Sequence, residues 1–150
     1  MNAVPTAALE PVASSPTAPR VLGIGLLRAL LLGEAALGLV LAIALSMLAS
    51  GLNEFLGGEA GRAAEQSLRF AAGFAIVWAI LASFASRGAR RRKGWSWTLT
   101  ALLQLVLAIG TGIAILTATW HPAYLLGFAL AAVVMLVLCV PSVRRALGQD

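Results

Sequence analysis

Four stretches of the chain, at about residues 29–49, 68–86, 95–119 and 123–140, are apolar over bilayer length, and only short polar segments separate them. A transmembrane helix needs about 20 largely apolar residues to cross a ~30 Å hydrocarbon core. The first stretch offers 21 residues with one charge, Glu34, which is ~31 Å of helix. Inside hydrocarbon each backbone N–H and C=O must be satisfied within its own segment, so such stretches fold as helices. The expected fold is all-α, a four-helix transmembrane bundle covering residues 20–148. Ahead of it, residues 1–19 hold four of the chain's six prolines and one charge, Glu10. That composition predicts a disordered tail.

Composition supports the bilayer reading. Hydrophobic residues make up 60% of the chain and charged residues 11%, against about 25% charged in soluble domains. A soluble domain of this length cannot hide that much apolar surface. The first stretch is also much longer than the ~7–15 apolar residues of a signal peptide, which points to a retained span.

The basic residues set the expected orientation. Arg87, Arg90, Arg91, Arg92 and Lys93 lie between spans two and three, and Arg144 and Arg145 follow span four. The polar, glycine-rich segment 50–69 carries three Glu against two Arg, and the turn 121–123 carries no Lys or Arg. Under the positive-inside rule both termini are cytoplasmic. The same basic clusters suit anionic lipid headgroups. Trp95, Trp97, Trp120 and Tyr124 then fall at the interfaces, where aromatic belts form. The net charge of +5 is placed for a membrane surface, and no nucleic-acid motif accompanies it.

Small residues four apart are expected to mark helix contacts. Such rows are Gly38, Ala42 and Ser46 in span one, Ala71, Ala75, Ala79 and Ser83 in span two, and Gly110, Ala114 and Ala118 in span three. They suit an intramolecular bundle, a homodimer or a larger membrane partner.

Few polar side chains enter the spans. Glu34 lies six residues beyond Arg28, ~9 Å deeper, and Gln104 lies seven beyond Trp97, ~10 Å deeper. Both spans run in the same direction, so the two groups share a depth. Thr100 is one turn before Gln104 on the same face, and Ser83 is four residues from Arg87. The candidate intramembrane site is therefore Glu34, Gln104, Thr100 and Ser83. It has three readings. Glu34 is a protonatable group that binds a proton or a cation. Alternatively, a protonated Glu34 is bonded to Gln104, or Arg28 bends back to it, as bundle glue. In the third, span one is shifted and Glu34 sits near the headgroups.

The remaining singletons point to no chemistry. Cys139 is the one cysteine and His121 the one histidine, which excludes an internal disulfide and leaves no metal-ligand spacing. Trp78 is read as packing and Cys139 as an apolar filler. The chain has no nucleophile–base–orienter set and no phosphate-cradling glycine loop. No catalytic, cofactor or metal residues are expected.

Four short spans with a lone Glu34 in the first resemble the small multidrug resistance transporters. That resemblance implies a dimer exchanging protons for cationic drugs at Glu34. This chain departs from that family in its proline-rich tail, its longer segment 50–69 and the sequence LLLGEAALGLVLA around Glu34. The segments LLRALLLGEAALGL, GWSWTLTALLQLVLA and CVPSVRRALG are similar in texture to small four-span integral membrane proteins of high-GC bacteria. That resemblance implies a bacterial inner-membrane location and a four-span fold, with no mechanism. Two functions follow as expectations. One is a non-enzymatic accessory or scaffold subunit of a membrane complex, and the other is a small proton-coupled transporter using Glu34.

Overall fold

A computed structural model describes residues 18–117 and 122–149. Five helices follow one another: α1 Ala18–Leu56, α2 Gly58–Arg90, α3 Gly94–Thr117, α4 Pro122–Cys139 and α5 Pro141–Ala146. The described residues contain no strand and are helical nearly throughout. Three helices, over Gly23–Leu56, Gly58–Arg90 and Gly94–Thr117, are long and apolar enough to cross a membrane. The apolar helix Tyr124–Cys139 is shorter. Residues 1–17 of the expected tail, Ala118 of the expected row in span three, Trp120 of the expected belt and His121 of the expected outer turn lie outside the described residues. Ala18 and Pro19, expected in the tail, are the first residues of α1. Proline is tolerated in a first helical turn, where its missing N–H has no intrahelical partner.

The segment 50–69 is not the glycine-rich loop that composition suggests. It is helix nearly throughout, and α1 and α2 meet at a break confined to Gly57. Gly57 and Gly58 have φ of 61° and 58°, the left-handed region open to glycine at little cost. The Gly57 N–H donates to the Asn53 carbonyl at 3.1 Å and closes α1. Gly61 has a packing role, because a Cβ there would lie 3.0 Å from Asn53 Oδ1 and 3.1 Å from its carbonyl oxygen. The glycines make a tight helical hairpin instead of a flexible loop. On α2, Arg69 pairs with Glu65 one turn earlier.

The α1–α2 hairpin is held by small residues, in a register that differs from the expected rows. On α2 a buried row runs through Ala72, Ala75, Ala79, Ala82, Ser86 and Ala89 at alternating spacings of three and four, and Gly61, Ala85 and Gly88 are buried beside it. Ala71 and Ser83 are only half-buried. A strict four-residue row drifts around a 3.6-residue helix, whereas a 3.5 average stays on a partner crossing at a shallow angle. On α1, Ala35, Ala42 and Ala49 face this row, and Gly38 allows the closest approach. A Cβ at Gly38 would lie 3.1 Å from the Ala75 carbonyl oxygen and 3.3 Å from Ala79 Cβ. Ser46 is exposed and bonds back to the Ala42 carbonyl at 2.8 Å. On α3, a Cβ at Gly110 or Gly112 would meet open space, so the expected α3 row makes no close contact at these glycines.

The expected basic loop 87–94 is also shorter. Arg87 and Arg90 belong to the last turn of α2. The Lys93 N–H donates to the Gly88 carbonyl and the Arg92 N–H to the Ala89 carbonyl, both at 3.1 Å. These are the paired bonds of a Schellman helix end. Arg92 occupies its left-handed position with φ 50°. The α4–α5 break falls at Val140, and Pro141 opens α5 at its first turn. At this end Leu27, Leu31, Leu103, Val134, Leu138 and Leu147 pack into one core. Away from it, the buried positions of α3 stop at Gln104 and those of α4 at Ala131. The α1–α2 and α3–α4 hairpins are therefore tied together at the basic end, while α1 and α2 stay paired to their tip.

Candidate functional site

Glu34 and Gln104 are brought together by the faces of α1 and α3 that enter this core. Glu34 lies one turn past Leu31 on the buried stripe of α1, and Gln104 adjoins Leu103 on that of α3. Glu34 is 4% exposed and Gln104 fully buried. The Gln104 Nε2 donates to both carboxyl oxygens of Glu34 at 2.9 Å. This is a side-chain hydrogen bond between residues 70 positions apart, and it joins one hairpin to the other. Gln104 Oε1 is buried without a hydrogen-bond partner. It is therefore the Nε2 end of the amide that faces the carboxyl.

The other expected members are placed differently. Thr100 is fully buried one turn before Gln104, but its hydroxyl donates to the Ser96 carbonyl at 2.7 Å. Its bond therefore stays within α3 and does not extend to Glu34. Ser96 in turn donates to the Lys93 carbonyl at 2.7 Å, so these hydroxyls serve the first turns of α3. Ser83 lines a groove between α1 and α2 together with Ala35, Ala79 and Arg87. Neither Glu34 nor Gln104 lines this groove.

Arg28, which one reading bent back to Glu34, forms no ion pair with it among the described residues, and its Nε is buried without a partner. One feature escaped the sequence reading. Trp97, expected in an aromatic belt, donates from Nε1 to the Leu138 carbonyl at 3.4 Å and so links α3 to α4. The sequence signal for that link was its place opposite the end of span four. Trp78 packs against the core at the basic end, and its ring centroid is 6.0 Å from that of Phe74. Cys139 is exposed.

The basic residues gather at one end. Arg87, Arg90, Arg91, Arg92 and Lys93 are exposed at the α2–α3 turn, and Arg144 and Arg145 are exposed on α5. The contacts of α5 explain the grouping. A Cβ at Gly23 would meet Val143 Cγ2 at 2.8 Å, and one at Gly94 would meet the Leu147 carbonyl oxygen at 3.3 Å. Thus α5 sits against the start of α1, and Leu147, which follows it, meets the start of α3.

No family model, no curated protein and no solved structure matches this chain.

Proposed function

We propose that this chain is a non-enzymatic accessory or scaffold subunit of a membrane complex, built as a four-span bundle in a bacterial inner membrane with both termini cytoplasmic. The observation that carries this reading is the reach of the α1–α2 hairpin. Its helices have 39 and 33 residues, or ~58 Å and ~50 Å, against a ~30 Å hydrocarbon core. The hairpin therefore extends past the bilayer as a paired helical stalk. Its tip presents Phe55, 85% exposed, beside Leu56 and Glu54, an apolar group offered outside lipid. In α4, 18 residues give ~27 Å of helix, enough for a fourth span with little tilt. The Glu34–Gln104 pair acts in this reading as a polar bolt between the two hairpins.

A photo-crosslinking residue at position 55, used in native membranes, tests this. A discrete adduct, heavier than the 15.5 kDa chain and lost when Leu56 is also changed to Ser, is expected. Only monomer after irradiation would sink the accessory role.

One observation favours a second reading, a proton-coupled transporter. Glu34 is a buried carboxyl whose side-chain donor is Gln104 Nε2 alone among the described residues, a group that can take up a proton. The full chain in detergent should then release protons when tetraphenylphosphonium is added, and Glu34→Gln should abolish the release. The accessory reading expects no release.

A further inference from the structure

The α1–α2 hairpin carries an apolar groove of about 480 Å³ on a face that Glu34 and Gln104 do not line. It is a shallow groove, open along its length to the surroundings of the helices. The floor is low because Ala35 and Ala79 lie where Gly38 lets the helices close. The walls are the exposed side chains Leu39, Ile76 and Phe84. Only one lining residue is charged: Arg87, at the basic end, with Ser83 one turn inward. From Arg87 to Ile76 is eleven residues of α2, or ~16 Å, close to one leaflet of a ~30 Å core. A second hollow of about 230 Å³ shares Leu39 and Ile76 and carries the groove further toward the tip.

The Arg87 guanidinium is exposed and makes no ion pair or side-chain hydrogen bond among the described residues. A guanidinium presents a planar fork of donors that matches phosphate oxygens. The groove thus offers one leaflet's depth of apolar wall below a single unpaired cation at headgroup level. We propose that it holds one acyl chain of an anionic phospholipid, from the leaflet at the basic end, with the lipid phosphate on Arg87. The charge complementarity selects the headgroup and the wall length selects the chain. This rests on α1 and α2 spanning a membrane, and it is independent of which side is cytoplasmic.

Native mass spectrometry of the full chain in non-ionic detergent tests the site. The probes are dioleoylphosphatidylglycerol and dioleoylphosphatidylcholine. One phosphatidylglycerol per chain should be retained under activation that strips phosphatidylcholine. Arg87→Gln should lower that retention about fivefold, the worth of one basic residue at an anionic surface. Ala36→Phe fills the groove and should remove both lipids. Ala36 is exposed, so helicity by circular dichroism should not change, and Ala36→Leu is the milder variant if it does. The proposal is overturned if the two lipids are retained equally. It is also overturned if Arg145→Gln costs as much as Arg87→Gln, which would mean diffuse attraction only. A lipid-independent dimer that Ala36→Phe dissociates would give the groove to a second copy and overturn it too. If the full chain stays monodisperse in buffer without detergent, the membrane reading itself fails, whatever the lipids do.

Discussion

A carboxyl group in the apolar part of a membrane helix must find donors or take up a proton, because an isolated charge there costs about 2.5–3.5 kcal/mol even on insertion scales. Glu34 finds its donor in Gln104. The worth of the pair is best read by breaking it from each side. Gln104→Leu strands a buried carboxyl, and the full chain in micelles should lose ~1–2 kcal/mol in reversible unfolding. Glu34→Gln keeps an acceptor for Gln104 Nε2 and removes the carboxyl, so it should cost less. Changing both residues to Leu should recover most of the loss, because no polar group then remains unpaired. Equal losses for the single and double variants would show that Gln104 acts through packing alone. Depth along two parallel spans was enough to bring Glu34 and Gln104 together from sequence. It could not place Ser83, because depth says nothing of direction around a helix. Ser83 follows buried Ala82 by one residue, about 100° of rotation, and this turns it to the groove with Arg87.

At the scale of helices, the α1–α2 pairing depends on backbone approach more than on apolar bulk. Gly38→Leu drives a side chain toward the Ala75 carbonyl, which overpacks the contact and should cost ~1–3 kcal/mol. Gly33→Ala is the matched control. A Cβ at Gly33 meets nothing within 4 Å, so the change should be neutral or stabilising by up to ~1 kcal/mol. Thermal unfolding in one detergent compares the two, and similar behaviour would deny a close contact at Gly38. The α2–α3 turn supplies the converse case. Arg92 holds a left-handed position with φ 50°, and Arg92→Gly should raise the unfolding midpoint by relieving ~1 kcal/mol of strain. The existence of these helices was legible from hydropathy, but their ends were not. Segment 50–69 looked like a loop because Gly57, Gly58 and Gly61 dominate its composition. Yet two of those glycines turn the chain within a residue or so, and the third lets α2 pack on Asn53. Composition counts residues over a window, whereas a tight hairpin needs them only at its corner.

For the whole molecule, the decisive asymmetry is between the basic end and the hairpin tip. Seven exposed basic residues, on the α2–α3 turn and α5, stand at one end, while the 50–69 hairpin carries three Glu against two Arg. Basic residues within short loops are retained on the cytoplasmic side of a bilayer, so the proposed orientation sends the tip outward. In a Cys139→Ala background, Gln66→Cys places a thiol near the tip and Gln149→Cys places one beside α5. A membrane-impermeant maleimide applied to spheroplasts should label position 66 at once and position 149 only after permeabilisation. The reverse pattern would invert the topology and leave the fold untouched. The charges should be causal as well as correlated. Replacing Arg90, Arg91, Arg92 and Lys93 together with Gln leaves Arg87, Arg144 and Arg145 as the exposed cations at that end. Two of these three lie on α5, behind the last span, and are synthesised after the first hairpin. The fourfold variant should therefore show mixed labelling of position 66, with a protected fraction absent from the parent. Uniform outward labelling would instead assign orientation to the residues ahead of α1's apolar run, where Arg20 and Arg28 lie.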